Sequence, residues 1–287
     1  MKLTTDKKIL IVGLGLIGGS YAKALTKKGY RVSAITRSPA TIQYALDHGI
    51  IGEGTTEIDP RLLGEADIVI FALYPRVLLS WLEENQHLLK PGAILTDVTG
   101  VKEFLVYDLQ NMLRSDVEFI GAHPMAGREV YGIENSDETI FHKANYIVTP
   151  TDKNTEEAIC LCEELGWELG FARVSRLSPE KHDDMIGFLS QLTHCIAIAL
   201  MNCNDTPGME AYTGDSFRDL TRIARINDQM WSELFMCNRQ QLLQHMDAFS
   251  DSFAALRTML EEGDVEGMRE SMRRSTARRM LFDKKEN

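Results

Sequence analysis

The chain has 287 residues, of which 44% are hydrophobic and 25% charged, so it is long enough for two globular domains with ordinary cores. Its formal net charge of −11 disfavours a nucleic-acid-binding surface. No apolar run approaches the roughly 20 residues that a membrane-spanning helix needs, and the N-terminus does not resemble a signal peptide. The five cysteines follow no paired metal-binding spacing, which favours reduced thiols in a cytoplasmic protein without a bound metal.

Strand and helix patterns alternate over the first 175 residues. The predicted strands cover residues 9–12, 31–36, 68–72, 94–96, 119–121, 146–148 and 168–172, and helices are predicted after residue 18 and over residues 41–48. This alternation is typical of an α/β fold with a mostly parallel sheet, in which ligands bind at the carboxyl ends of the strands. We therefore predict a Rossmann-type dinucleotide-binding domain over residues 1–175.

After about residue 176 the apolar residues recur at helical spacing and strand patterns end. One long apolar helix is predicted over residues 185–200 and another over residues 231–256. Helices that are apolar over so much of their surface need burial on more than one side. We therefore expect an all-helical domain over residues 176–287 that forms a homodimer and contributes to the substrate site.

The first predicted strand leads into the turn Gly13-Leu14-Gly15-Leu16-Ile17-Gly18, which opens a helix. In this position the pattern G-x-G-x-x-G is a fingerprint for a dinucleotide. Gly13 permits the tight turn, Gly15 lets the backbone approach the pyrophosphate, and Gly18 allows the helix to pack closely on the strand. Leu16 and Ile17 then place their backbone at the positive end of the helix, where phosphates bind.

The end of the second predicted strand indicates which dinucleotide is bound. NAD-binding chains usually carry an acidic residue there, which bonds the ribose hydroxyls. Here Thr36 takes that position, followed by Arg37 and Ser38. A guanidinium with two hydroxyls is suited to a 2′-phosphate, so NADP is favoured and NAD is the alternative.

A histidine follows another predicted strand, in the segment Gly121-Ala122-His123-Pro124-Met125-Ala126-Gly127-Arg128-Glu129. At the carboxyl end of its strand, His123 faces the predicted cofactor crevice. Pro124 and Gly127 stiffen the loop, and Glu129 is placed to orient the imidazole. A histidine beside a nicotinamide is the expected general base for the oxidation of an alcohol.

Five segments together resemble the prephenate dehydrogenase family, which includes arogenate and cyclohexadienyl dehydrogenases. The resemblance covers nearly the whole chain, and its most specific pieces are His-Pro-Met-Ala-Gly and Thr-Arg-Ile-Ala. The segments are Gly13-Leu-Gly-Leu-Ile-Gly-Gly-Ser20, Asp97-Val-Thr-Gly-Val-Lys102, His123-Pro-Met-Ala-Gly127, Ser190-Gln-Leu-Thr-His194 and Phe217-Arg-Asp-Leu-Thr-Arg-Ile-Ala224.

The resemblance implies the oxidative decarboxylation of prephenate in tyrosine biosynthesis. His123 matches the catalytic histidine, which accepts the proton of the ring 4-hydroxyl, and His194 matches a second histidine near the substrate. Arg222 matches the arginine that binds a substrate carboxylate. Asp219 lies one helical turn before it, and by position Glu129 completes an ionic network at the pocket.

Residue chemistry agrees with the substrate, because prephenate carries two carboxylates and an acidic protein needs a local cationic site for them. Arg218, Arg222 and Arg225 form a basic stripe at helical spacing. For Arg218 and Arg225 the alternative is a solvated face that pairs with nearby aspartates, and for His194 it is a structural place in the core.

Two positions depart from the family pattern, and both concern substrate orientation. The family commonly carries a serine where this chain has Gly100, and Thr99 is the neighbouring hydroxyl that we expect to replace it in the catalytic site. The first histidine of the family's Ser-His-Leu-Pro-His segment is Gln191 here, which we expect to contact the substrate as a hydrogen-bonding residue.

Three other functions remain open. Arogenate is the alternative substrate, with an amino group in place of the side-chain keto group. A β-hydroxyacid dehydrogenase-like reductase shares the same layout but relies on a lysine of the helical domain, for which Lys181 is the available candidate. A non-catalytic nicotinamide-binding regulator would need neither His123 nor Arg222.

Overall fold

The computed structural model describes residues 3–128 and 130–283. Its strands form one eight-stranded sheet in the order β3-β2-β1-β4-β5-β6-β7-β8. Neighbouring strands are parallel except for β6 and β7, which pair antiparallel. The strands are β1 (Lys8–Val12), β2 (Arg31–Ile35), β3 (Glu53–Thr55), β4 (Ile68–Phe71), β5 (Ile94–Asp97), β6 (Glu118–Pro124), β7 (Asn145–Thr149) and β8 (Arg173–Arg176).

Six α-helices connect these strands. They are α1 (Leu16–Lys27), α2 (Pro39–Asp47), α3 (Pro60–Glu65), α4 (Pro75–Asn85), α5 (Glu103–Met112) and α6 (Glu156–Glu168). Three short 3-10 turns also lie here, at Gln86–Leu88, Ile133–Asn135 and Glu138–Phe141. The predicted α/β class and mostly parallel sheet are confirmed. The strand predicted over residues 168–172 is wrong, because Glu168 ends α6 and the strand begins at Arg173.

The hydrophobic core lies on both faces of the sheet. Along β1, Ile9 and Ile11 pack into one apolar cluster, whereas Leu10 and Val12 pack into another. Successive residues of a strand point to opposite faces, so both faces are covered by helices. This is the environment in which a parallel strand reads as a continuous apolar run, and it explains why β1 was easy to predict.

Described residues beyond β8 contain helices and no strand. The helices are α7 (Pro179–Ile186), a π-helical stretch (Gly187–Leu192), α8 (Thr193–Asn202), α9 (Asp215–Thr221), α10 (Asp228–Cys237), α11 (Arg239–Glu262) and α12 (Val265–Arg279). Short 3-10 turns add Met209–Tyr212, Arg222–Ala224 and Met280–Phe282. The single helix expected over residues 231–256 is divided at Asn238, which ends α10. By contacts the chain forms two compact units, residues 1–239 and residues 240–287.

One helical stretch has the length and composition of a membrane span. Pro179–Asn202 contains an 18-residue window of mean hydropathy 1.4, of which 28% is buried. The sequence prediction considered uninterrupted apolar runs and therefore passed over this stretch. A single such helix is weak evidence for a membrane, because a packed helix of a soluble protein meets the same criteria.

Candidate active site

The carboxyl ends of several strands gather the predicted site residues at one edge of the sheet. Gly13 follows β1, Thr36 follows β2, Asp97 ends β5 and His123 lies near the end of β6. Because β2, β1, β4, β5 and β6 are parallel, their carboxyl ends meet at the same edge. This is where ligands bind in open α/β sheets.

The turn between β1 and α1 has the geometry of a phosphate cradle. Gly13 adopts a φ of 98°, and a Cβ on Gly18 would lie 2.0 Å from the Gly13 carbonyl oxygen. A Cβ on Gly15 would meet nothing within 4 Å, so the space in front of the helix is open. Within residues 3–128 no side chain caps α1, and its first turn carries no acidic residue. Leu16 begins the helix, so its free N–H groups and positive end fit a pyrophosphate.

The segment after β2 lies at the same edge. Thr36 is half-buried, and its N–H donates to the Thr55 carbonyl oxygen at 3.2 Å. Arg37 is exposed to solvent. The Ser38 hydroxyl oxygen accepts from the Thr41 N–H at 3.2 Å and caps α2, so its own proton is available to a ligand.

His123 is joined to two residues of α7. Its Nδ1 lies 2.8 Å from His182 Nε2, and His182 Nδ1 lies 2.6 Å from Asp183 Oδ1. Burial lowers the pKa of His123 well below its ordinary value, and His182 and Lys102 lower it further. Burial also lowers the pKa of His182 to about 3. Both imidazoles are therefore neutral at pH 7, as a general base must be.

A fully buried ion pair supports the neighbouring loop. Lys102 Nζ lies 2.6 Å from Asp97 Oδ2, and neither side chain is accessible to solvent. Asp97 Oδ1 accepts from the Ala122 N–H at 3.0 Å, which joins the ends of β5 and β6. The Thr99 hydroxyl donates to Asp97, lies 2.9 Å from the Val101 carbonyl oxygen and accepts from Lys102 Nζ at 3.1 Å. The Thr99 hydroxyl thus belongs to the buried network of Asp97 and Lys102, and its place in the catalytic site stays a prediction.

Gly100 lies against the other side of His123. A Cβ at this position would lie 3.7 Å from His123 Nε2 and 3.8 Å from Leu234 Cδ1. The serine that the family commonly carries would therefore reach the imidazole nitrogen, and this chain leaves that place open.

The helical segments bring Gln191 and His194 into two different surroundings. Gln191 is buried, and its Nε2 donates to the Leu234 carbonyl oxygen at 3.2 Å while its Oε1 accepts from Asn238 Nδ2 at 2.8 Å. His194 is half-buried on α8, with its ring 3.7 Å from that of Trp231. Gln191 thus has protein partners at both ends of its amide, and His194 lies in an aromatic setting.

The predicted carboxylate site lies on an exposed segment. Arg222 begins the 3-10 turn Arg222–Ala224 and is exposed, and Asp219 is exposed on α9. Arg218 pairs with Asp215 at 2.6 Å and therefore belongs to a solvated face. Glu129, which was predicted to complete an ionic network at the pocket, lies outside the described residues.

Sequence reasoning missed several members of this site. From the sequence alone, His182 can either cap the start of a helix or contact the substrate, and no role was assigned to Asp183, Lys102 or Asn238. All four are buried polar side chains, and Asp183 alone accepts from the backbone N–H groups of Lys102 and Glu103, 81 and 80 residues away. The adjacent His-Asp pair before an apolar helix was a usable indication, because buried polar groups need partners.

Two family models match the chain. The prephenate dehydrogenase nucleotide-binding domain matches residues 21–174, and the prephenate dehydrogenase dimerization domain matches residues 178–274. The chain is also 32% identical to a prephenate dehydrogenase of Bacillus subtilis over 272 residues, which are 91% of this chain and 72% of that protein.

Solved structures share the architecture. A prephenate dehydrogenase from Aquifex aeolicus, in complex with hydroxyphenyl propionate and NAD+, has a TM-score of 0.90 at 32% identity and covers 99% of this chain and 100% of its own. An arogenate dehydrogenase from Synechocystis has a TM-score of 0.82 at 26% identity, with 96% of this chain and 100% of that chain covered.

Proposed function

The chain belongs to the prephenate dehydrogenase family, and from that premise we propose that it converts prephenate to 4-hydroxyphenylpyruvate and CO2. As a member of the family it is an oxidoreductase that uses a nicotinamide dinucleotide. The observation that carries the proposal is His123, a neutral imidazole at the same sheet edge as the glycine turn, with Nε2 beside the open place at Gly100.

The proposed reaction begins at the ring 4-hydroxyl of prephenate. His123 Nε2 accepts the hydroxyl proton, which it can do because its pKa lies well below neutrality in the resting site. When bound, the nicotinamide ring supplies the acceptor for the hydride that leaves the same carbon. The bond to the ring carboxylate breaks, CO2 leaves, and the electron pair completes the aromatic ring, which makes the step effectively irreversible.

The proposed substrate contacts lie on the helical segments. Arg222 is exposed and offers a planar fork of N–H donors to the side-chain carboxylate. Asp219 is proposed to orient it from α9, and Glu129 keeps its proposed place in that ionic network. His194 and Gln191 are proposed to line the pocket near the substrate ring. His194 would present its imidazole there, and Gln191 is held by its hydrogen bonds to Leu234 of α10 and to Asn238.

We infer a preference for NADP over NAD. No carboxylate stands at the end of β2 to repel a 2′-phosphate, and Thr36, Arg37 and the free Ser38 proton provide donors for one. Arg37→Ala is expected to weaken NADP binding and to leave NAD binding unchanged. An equal loss for both dinucleotides would remove the 2′-phosphate contact.

We propose that the protein is a homodimer and that it acts in the cytoplasm. The dimerization-domain match over residues 178–274 supports the dimer, and five free cysteines are compatible with a reducing compartment. We keep the proposed boundary between the dinucleotide-binding and helical domains near residue 176.

The role of His123 is tested by His123→Asn. Asparagine keeps a hydrogen-bonding side chain but cannot accept the proton, so turnover of prephenate should fall by about 10²–10⁴-fold. Dinucleotide affinity, measured by titration calorimetry, should stay within about twofold. Full turnover by this variant would contradict the proposal.

A further inference from the structure

The imidazole of His123 is one end of a hydrogen-bonded chain that runs into the core through His182 to Asp183. We propose that His182 and Asp183 are positioning residues that hold the proton of His123 on Nδ1, so that Nε2 is the unprotonated nitrogen offered to the substrate. This inference deepens the proposed dehydrogenase function and rests on it.

The Asp183 end of the chain is fixed by donors. Its Oδ1 accepts from the Lys102 N–H at 2.8 Å, and its Oδ2 accepts from the Glu103 N–H at 2.9 Å. Asn238 Nδ2 donates to the Asp183 carbonyl oxygen at 2.8 Å and holds the backbone as well. The two backbone N–H groups require the carboxyl oxygens of Asp183 to accept, which favours the carboxylate form.

The direction of each remaining bond follows from that acceptor. A carboxylate can only accept, so His182 Nδ1 must carry the proton that it donates to Asp183. Because His182 is neutral, its Nε2 then holds a lone pair and must accept from His123. His123 Nδ1 therefore carries the proton, and in a neutral imidazole this leaves Nε2 as the base.

The free nitrogen faces the place where a substrate hydroxyl is expected. Among residues 3–128 and 130–283, no side chain or backbone group forms a hydrogen bond to His123 Nε2. The neighbouring Cβ position of Gly100 lies 3.7 Å from it and 3.8 Å from Leu234 Cδ1. The buried side of His123 is thus occupied by His182, and the reactive side is open.

The chain also stabilises the product of proton transfer. When His123 Nε2 gains the substrate proton, the imidazole becomes a cation that still donates through Nδ1 to His182. The negative charge of Asp183 lies two hydrogen bonds away in a buried setting, where charge interactions are stronger than in water. After CO2 leaves, the electron pair that completes the aromatic ring places a negative charge on the ring oxygen, and His123 Nε2 returns the proton to that oxygen, which gives the 4-hydroxyl of the product and restores the starting tautomer.

The resting tautomer can be measured without any turnover. Histidine-selective 15N labelling separates protonated from unprotonated ring nitrogens, and His123→Asn assigns the signals. At pH 7.5 we expect a protonated Nδ1 and an unprotonated Nε2 on His123. A protonated Nε2 as the major form would overturn the inference, even if prephenate turnover is confirmed.

Two substitutions at His182 test the functional consequence. His182→Gln can place its Oε1 where Nε2 lay and still accept from His123, whereas His182→Leu cannot. We expect kcat to fall by about 100-fold or more in His182→Leu and by less than about tenfold in His182→Gln, with KM for prephenate unchanged in both. His48→Gln, on the exposed surface, is the matched control and should retain wild-type rates.

The outcomes separate this inference from the proposed function. A wild-type protein without prephenate turnover would reject the function, and the 15N measurement would still decide the tautomer. Equal losses of kcat in the two His182 variants, with dinucleotide binding intact, would overturn the positioning role. His182→Leu can be compared only if its far-ultraviolet circular dichroism matches that of the wild type. If it does not fold, His182→Gln alone decides: a wild-type kcat in this variant, together with a His123 that no longer prefers the proton on Nδ1, would overturn the positioning role.

Discussion

Gly100 leaves the space beside His123 Nε2 without a hydroxyl, although the backbone there accepts a side chain. A Cβ would make only ordinary contacts, at 3.7 Å to Nε2 and 3.8 Å to Leu234. Gly100→Ser adds a hydroxyl that can orient the substrate hydroxyl against His123, whereas Gly100→Ala adds the same carbon alone. One such hydrogen bond contributes about 0.5–1.5 kcal/mol, so kcat/KM should be about 3–10-fold higher in Gly100→Ser than in Gly100→Ala.

Steady-state kinetics with prephenate measures this difference. Both variants should melt within about 2 °C of the wild type, because neither carbon meets a close contact. Equal kcat/KM values for the two variants would show that a hydroxyl at this position has no effect on the chemistry, and that the substrate is oriented elsewhere.

Asp183 gives the site a defined pH dependence. Burial raises its pKa to about 6, despite the opposing effect of the N–H groups of Glu103 and Lys102. The titratable groups that face it are Lys102 and Glu103 at the start of α5, Glu180 and His182 on α7, and Cys237 on α10. Because the pKa of Asp183 in the folded protein exceeds the ordinary value of 3.8, the shift adds on the order of 3 kcal/mol to the free energy of unfolding below pH 3.8. This contribution is lost as the pH rises through 6.

Activity should depend on Asp183 in the opposite direction. Below about pH 6 a protonated Asp183 can donate to His182 and reverse both tautomers, so kcat/KM should fall as pH drops through 6. The two histidines have pKa values below that range. His182→Gln can present its oxygen to His123 in either state of Asp183, so its profile should lack this limb. A limb at the same pH in His182→Gln would assign the titration to another group.

At the scale of elements, two glycines of the turn before α1 have different roles: Gly13 is needed for folding and Gly15 for cofactor binding. Gly15→Ala adds a methyl into open space, whereas Gly13→Ala places a Cβ 2.4 Å from the Ala72 carbonyl oxygen at a φ of 98°. We expect Gly15→Ala to weaken dinucleotide binding by about tenfold or more, with an unchanged melting temperature for the ligand-free protein. Gly13→Ala should instead lower the melting temperature by several degrees.

Calorimetric titration and thermal denaturation distinguish the two effects. If Gly15→Ala bound the dinucleotide as tightly as the wild type, the pyrophosphate would not approach the backbone at this turn. That result would remove α1 as the cofactor helix while leaving its packing on β1 unaffected.

The pattern of apolar and turn residues predicted those helices and strands that depend on their own sequence and not on contacts with distant residues. β1 is a continuous apolar run ending in glycine and was predicted, whereas the strand predicted over residues 168–172 does not overlap β8, which begins at Arg173. The break at Asn238 escaped prediction because that side chain serves a tertiary role, donating to Asp183 and Gln191. The π-helical stretch Gly187–Leu192 was equally invisible, since apolar spacing does not distinguish it from an α-helix.

The site residues likewise fall into those that the sequence predicts and those that only tertiary packing brings together. His123 and the glycine turn were predictable because each follows a strand end, where parallel topology brings ligands. The Lys102–Asp97 pair is local in sequence, but its complete burial is not readable from the sequence. The contact between His123 and His182 joins residues 59 apart, and only the packing of α7 on the sheet edge creates it.

At the scale of the whole molecule, α11 carries an exposed apolar stripe that a second copy of the chain can cover. Its members recur every three or four residues on one face, as in a coiled-coil seam. They are Leu243, Met246, Phe249, Phe253, Leu256 and Leu260, with exposed fractions of 37–64%. Exposed stripes of this size mark association surfaces, in agreement with the dimerization-domain match.

The oligomeric state tests this surface. Two chains of 32.4 kDa give about 65 kDa, which light scattering after size exclusion should report for the wild type. Phe253→Glu buries a charge in the seam and should shift the mass towards that of one chain. Ala255→Glu adds the same charge on the opposite face of α11 and should remain dimeric. A dimer in both variants would place the interface elsewhere.

The central claim concerns the reaction of the whole protein, and one assay tests it directly. Purified protein is given prephenate or arogenate, each with NADP or NAD, and reduced cofactor, CO2 and aromatic product are quantified together. We predict that prephenate with NADP gives the highest kcat/KM and yields 4-hydroxyphenylpyruvate, CO2 and reduced cofactor in equal amounts. A higher kcat/KM for arogenate would contradict the proposed substrate. No turnover of either substrate would contradict the proposed reaction itself.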